Sequence, residues 1–185
     1  MKKKIFIFAI LILLIAVLQS TLMGSITIFG AKANLFVLFV IAVGIIKGSQ
    51  EAAIMGVIIG VLNDSISPTV PFGVYILLFM YLGVVSGVTY KAMIRANFIV
   101  MMAAAFIGTL LYTSADFIFT MSGAYWQNGI GAVIVGLGSV LIHKGIWDAV
   151  YNIVISIPIY WIVQKIYGRL DLSEGNVRGK YKWQR

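Results

Sequence analysis

Gly56-Val57-Ile58-Ile59-Gly60-Val61-Leu62-Asn63-Asp64-Ser65-Ile66-Ser67-Pro68-Thr69-Val70-Pro71-Phe72-Gly73 decides the fold. The stretch opens as an apolar helix with glycines four apart. It meets the polar pair Asn63 and Asp64, then breaks at Pro68 and Pro71 before a second apolar run. In lipid, glycines at that spacing let a neighbouring helix approach closely. A polar pair at membrane depth must find partners or water. Proline cannot continue a helix, so the two prolines mark a turn. The stretch reads as the end of one membrane span, a tight connection and the start of the next.

Composition extends this reading to the whole chain. Of 185 residues, 61% are hydrophobic and only 11% charged, against roughly 25% charged in a soluble domain. The mean hydropathy is +1.02. The chain is expected to form one all-α integral membrane domain, with no stretch long or polar enough for a second, soluble one. It has no cysteine, so disulfide and thiolate chemistry are excluded. A single histidine, His143, excludes the common multi-histidine metal sites. The net charge of +8 reads as membrane topology rather than nucleic-acid binding.

Working outward, transmembrane helices are predicted at about 5–23, 35–48, 52–64, 72–90, 96–119 and 146–165. The first follows Lys2-Lys3-Lys4 and has the outline of a signal peptide. Its one cleavage-like triplet, Ala31-Lys32-Ala33, lies well beyond the apolar run, so an uncleaved helix is expected. The runs Leu35–Ile46 and Ala52–Leu62 are each short of the ~20 residues that span a bilayer. They read as two short helices with a tight turn at Lys47–Glu51; a re-entrant hairpin is the alternative. Gly129–Ile142 is apolar, short and rich in glycine, so 129–143 is assigned to the membrane interface. Tyr125 and Trp126, just before it, suit the same interface.

The basic residues set the span count. With six spans and the N-terminus inside, all of the 14 Lys and Arg residues except Lys32 and Lys144 are cytoplasmic, including the basic tail 170–185. A seventh span would export that tail and erase the asymmetry. Six passes, with both termini in the cytoplasm, follow.

Three glycine pairs, Gly44/Gly48, Gly56/Gly60 and Gly83/Gly87, have the spacing of close helix contacts. They serve packing within the chain or against a partner's helix. Asp64 and Asp116 lie near span ends, where an acid is hydrated or caps a helix. Asn152, inside the last span, needs a hydrogen-bond partner on another helix. His143-Lys144 reads as an interfacial polar pair. No HExxH, GxSxG or phosphate-binding glycine loop is present, so no enzyme, cofactor or metal is expected.

Several stretches together carry a family resemblance. They are Leu18-Gln19-Ser20-Thr21-Leu22, Ile28-Phe29-Gly30-Ala31-Lys32-Ala33-Asn34-Leu35, Gly56 to Asp64, Pro71-Phe72-Gly73-Val74, Tyr151-Asn152 and Ile157-Pro158-Ile159-Tyr160. In order and spacing the chain to about Arg169 resembles the MreD family of bacterial rod shape-determining membrane proteins. It departs at Ala33-Asn34, where the family typically shows Pro-Asp. The resemblance implies a six-helix fold similar to the S components of energy-coupling vitamin transporters. It implies a non-enzymatic scaffold in the bacterial inner membrane that pairs with the bitopic protein MreC. Through it, cytoplasmic MreB filaments join a SEDS glycosyltransferase and a class B penicillin-binding transpeptidase, which build the wall. Gly56, Gly60, Asn63, Asp64, Asn152 and Pro158 are the candidate helix-packing or partner-interface residues. The alternative is an S component that captures a vitamin, for which Tyr125, Trp126 and Asn128 offer pocket groups. S components commonly carry AxxxA on helix 1; here Ala9 and Ala16 are seven apart.

Overall fold

The computed structural model describes residues 2–25, 31–66, 70–92, 98–120, 127 and 129–173. Among them the chain is helical with no β-strand. Helix α1 covers Lys2–Ser25, α2 Leu35–Lys47, α3 Ser49–Ile66, α4 Val74–Ala92 and α5 Phe98–Thr120. Helix α6, Ile130–Val140, runs through a π-helical turn at Leu141–Gly145 into α7, Ile146–Ser173. Pro68, Arg95, Tyr125, Trp126, Asn128 and the end of the basic tail lie outside the described residues.

Helix α2 is the axis of the bundle. Every residue from Leu35 to Ile45 is buried, and α2 packs against α1, α3, α4, α5 and α7. A helix that is hydrophobic all round belongs inside the protein. This accounts for an apolar run that is short and shows no polar stripe. Its 13 residues give a rod of about 20 Å. It is too short to cross a ~30 Å hydrocarbon core by itself.

The connection between α2 and α3 is one residue long. Gly48 has φ 93°, and its N–H closes the helix on the Gly44 carbonyl at 2.8 Å. A positive φ of this kind is usually taken by glycine, which has no Cβ to clash. The chain then reverses directly into α3, which is longer than its apolar core because Ser49, Gln50 and Glu51 join its first turn.

Helices α3 and α4 meet along a seam of small residues. A Cβ on Gly56 would stand 2.4 Å from the Phe79 carbonyl oxygen, and one on Gly60 2.4 Å from the Ile76 Cα. From the other side, a Cβ on Gly83 would stand 2.5 Å from the Ala52 carbonyl oxygen and one on Gly87 2.2 Å from the Ser49 nitrogen. Two of the three glycine pairs of the sequence thus face each other's helix backbone. Among the described residues the seam is internal to the chain.

Helix α5 lies against α7, with the Phe98 and Tyr160 rings edge to face at 5.2 Å. The sequence reading separated 129–143 from the last span, but the structure carries one helix from Ile130 to Gly168. The π turn absorbs His143-Lys144-Gly145 without a break. A π turn accommodates one extra residue per turn, so the polar pair need not end the helix. At 39 residues this rod is about 58 Å long, close to twice the hydrocarbon thickness.

The outward faces are apolar: Leu13, Leu77, Ile99 and Val154 are among many exposed large hydrophobics. Two helices, Phe98–Thr120 and Ile130–Gly168, are long and apolar enough to cross a membrane. Phe8–Thr21, Leu35–Lys47 and Val74–Val88 are shorter apolar helices.

The seam makes a prediction. Gly60→Leu forces the α3 and α4 backbones apart and is expected to destabilise by at least the ~1–3 kcal/mol of an overpacked core. Gly131→Ala, where a Cβ meets open space, is expected to be neutral or stabilising by up to ~1 kcal/mol from helix propensity. Thermal melts of the two variants in one detergent check the contrast; equal melting points would remove the seam's role.

Candidate functional site

The polar groups of this chain are concentrated where helices begin. Helix α4 starts after Gly73, which has no side chain to cap it. The cap comes instead from Asp64 at the end of α3. One carboxylate oxygen accepts the Gly73 N–H at 2.9 Å and the Ile76 N–H at 3.3 Å, and the other accepts the Tyr75 N–H at 3.2 Å. The first N–H groups of a helix have no partner within it. An anion there also meets the positive end of the helix dipole. Asp64 is only 7% exposed, so it binds α3 to α4 at the end of the glycine seam.

A second cluster surrounds the segment Ala31–Asn34, which leads into α2 without being helical. Ala31 and Ala33 are buried while Lys32 between them is exposed, so the backbone of the segment is only partly open to water. Three side chains from distant helices supply its partners. Gln19 of α1 accepts the Leu35 N–H at 2.7 Å and donates to the Ala33 carbonyl at 3.3 Å. Asp148 of α7 accepts the Lys32 N–H at 2.8 Å. Asn152, one turn further along α7, accepts the Asn34 N–H at 2.9 Å. The Asn34 side chain in turn caps α2 by accepting the Val37 N–H at 3.2 Å.

Asn152 is fully buried, and its amide donates to the Thr109 hydroxyl of α5 at 2.9 Å. That hydroxyl in turn donates to the Ala105 carbonyl at 2.7 Å. One side chain therefore joins α7 to α5 and to the start of α2. Asn34 suits the capping position, because asparagine caps about as well as aspartate.

Between the two clusters lies a group of rings. Tyr75 of α4 and Tyr112 of α5 stack at 5.7 Å, and the Tyr75 hydroxyl donates to Asp116. The Tyr112 side chain also stands against Asn63 and Asn34. Asn63 is buried, and its amide nitrogen has no hydrogen-bond partner among the described residues.

The residues singled out from the sequence fall into distinct places. Gly56, Gly60 and Asp64 share the α3–α4 contact and Asn63 stands beside Tyr112 of α5, whereas Asn152 belongs to the clamp on Ala31–Asn34. Pro158 lies inside α7 with its side chain exposed, in neither cluster. Gln19, Asn34, Tyr75, Thr109, Tyr112 and Asp148 were not among them. Asp148 was recoverable, since it lies four residues before Asn152 and residues four apart share one helix face. Gln19 had no such signal, because its partners are backbone groups of another segment.

Buried caps, a small-residue seam and an apolar exterior define a compact helical protein built for lipid, whose polar groups hold its own backbone. The family model described as rod shape-determining protein MreD matches residues 2–170. The chain belongs to the MreD family, a family of membrane proteins with a role in determining rod shape. No curated protein and no solved structure matches it.

The clamp and the Asp64 cap each generate a prediction. Asn152→Leu leaves the Asn34 N–H buried without a partner and is expected to cost about 1–3 kcal/mol. In a double-mutant cycle with Thr109→Val, the two losses should fall short of additive by at least ~0.5 kcal/mol, read from detergent melts; strict additivity would mean that the two side chains do not act together. Asp64→Ala should cost ~0.5–2 kcal/mol, as for other lost N-caps, with Asp64→Asn retaining most of it. Amide hydrogen exchange at Tyr75 and Ile76 locates the effect.

Proposed function

We propose that this protein is a non-enzymatic scaffold of the rod-shape complex in the bacterial inner membrane. It crosses the bilayer six times with both termini in the cytoplasm. It pairs with the bitopic protein MreC, and so connects MreB filaments to a SEDS glycosyltransferase and a class B penicillin-binding transpeptidase. The observation that carries this reading is the family match over residues 2–170.

The chemistry of the polar groups supports it. Asp64, Asn34, Gln19, Asp148 and Asn152 are all engaged with backbone N–H groups. Their task is to fix helix positions. A scaffold needs fixed surfaces and a fixed orientation, and the basic residues supply the orientation. Lys47, at the end of α2, and Lys165, on α7, fall on the cytoplasmic side by the positive-inside rule. Lys47 lies 4.9 Å over the Tyr167 ring and Lys165 4.5 Å over the Trp161 ring, contacts of a kind worth about 0.5–1 kcal/mol at exposed sites. On the other side, the start of the Ile130–Gly168 rod rises past the outer boundary.

Gentle-detergent purification of the tagged protein from its native membrane tests the proposal. MreC and the wall synthases are expected to co-purify, and depletion of the protein should turn rods into spheres. Recovery of a transporter's ATPase and coupling subunits in their place would overturn the reading and assign the chain to vitamin uptake.

A further inference from the structure

Asn63 lies near the end of α3, only 7% exposed. Among the described residues its amide nitrogen has no hydrogen-bond partner, and a buried donor left unmade is costly. Its surroundings are polar. The neighbouring Asp64 turns both carboxylate oxygens to N–H groups at the start of α4. The Tyr112 ring of α5 stacks on Tyr75 at 5.7 Å, and the side chains of Asn63 and Asn34 stand against Tyr112 as well. Tyr75 gives its hydroxyl proton to Asp116. Each carboxamide carries two N–H donors, whereas Tyr112 offers a single phenol oxygen. The group left over at Asn63 is a donor, so what this cluster lacks is an acceptor. The cluster also lies at a joint. Helix α5 packs on α7 and α2 but only lightly on α4, and these side chains are where it meets the end of α3 and the start of α4.

We propose that Asn63 binds one buried water molecule, which accepts a hydrogen bond from its amide and bridges it to the Tyr112 hydroxyl. The chemistry of the site selects the ligand. An N–H group calls for an acceptor, which a cation is not. An anion would meet the carboxylates of Asp64 and Asp116, and like charges at close range are unfavourable. The burial of Asn63 keeps a partner's side chain or a lipid headgroup from it. Water is the small neutral group that accepts from Asn63 and donates onward. Buried waters typically make about three hydrogen bonds to groups that the protein leaves unsatisfied, and Asn63, Tyr112 and Asn34 stand close enough together to share one. The bridge ties the end of α3 to α5, which direct contacts between these helices do not. It also separates the tasks of the polar pair. Asp64 caps α4 directly, whereas Asn63 reaches α5 through water. In lipid, satisfied polar contacts between helices are part of what holds a bundle together.

A crystal structure of the full-length protein grown from a lipid phase, at a resolution that shows ordered water, tests the site directly. One water is expected within about 3.2 Å of both the Asn63 amide nitrogen and the Tyr112 hydroxyl. A protein acceptor bonded directly to that nitrogen, a water that does not reach Tyr112, or a dry nitrogen in apolar contact overturns the proposal. Thermal melts in one detergent give a second reading. If the amide were dry and unpaired, Asn63→Leu would remove a penalty and leave the melting point unchanged or higher. A water bridge predicts the opposite. Asn63→Leu and Tyr112→Phe should each lower the melting point by about 2–4 °C. The double variant should fall by clearly less than their sum, because either change alone breaks the bridge. An unchanged or higher melting point for Asn63→Leu, or strict additivity, overturns the bridge. Where a variant does not fold, the structure of the unsubstituted protein decides the matter.

Discussion

A non-helical backbone segment entering a lipid-soluble bundle needs protein partners for the N–H and carbonyl groups that it buries there. Ala31–Asn34 is such a segment, and much of the structure can be understood as the answer to it. Gln19, Asp148 and Asn152 come from the first and last helices of the chain to hold these few residues. Each bond is modest, but a missing one leaves a buried donor unpaired, which costs far more than the bond itself contributes. The segment therefore fixes where α1 and α7 stand around α2.

The other half of the bundle is fixed by close backbone contact. Gly48 turns α2 directly into α3, the glycine seam sets α4 against α3, and Asp64 closes the seam by capping α4. These three devices are consecutive in sequence, so α2, α3 and α4 form a locally determined unit. Dispersion between closely approached backbones and satisfied polar groups are what hold helices together in lipid. Both are present here within one stretch of chain.

The outer surface follows from this division. With the buried carboxylates and amides engaged inward, the exterior is left apolar, and shape with a few charges distinguishes one face from another. Helix α1, tied to the rest through Gln19 and the Phe8–Tyr167 contact, leaves a lateral groove that the tightly seamed α3–α4 pair does not. A protein of the MreD family thus presents both a rigid core and a less crowded edge.

The sequence by itself determined the helical class, the family and the seam. Apolar run lengths, glycines at four-residue spacing and the Asn63-Asp64 pair before two prolines are local signals, and each depends on neighbours along the chain. It also showed that Asn152 needed a partner, because a buried amide is never neutral in energy. What only the tertiary structure decided is who meets whom. The three side chains on Ala31–Asn34, the cap that Asp64 gives to a helix other than its own, and the Tyr75–Asp116 and Asn152–Thr109 pairs all join residues far apart in sequence. The continuity of α6 into α7 was equally hidden. His143-Lys144-Gly145 looks like a break in one dimension, whereas a π turn packed beside α5 carries the helix through it. Local patterning specifies which segments are helices and which faces are small; the pairing of distant polar groups depends on packing geometry, which no single segment contains.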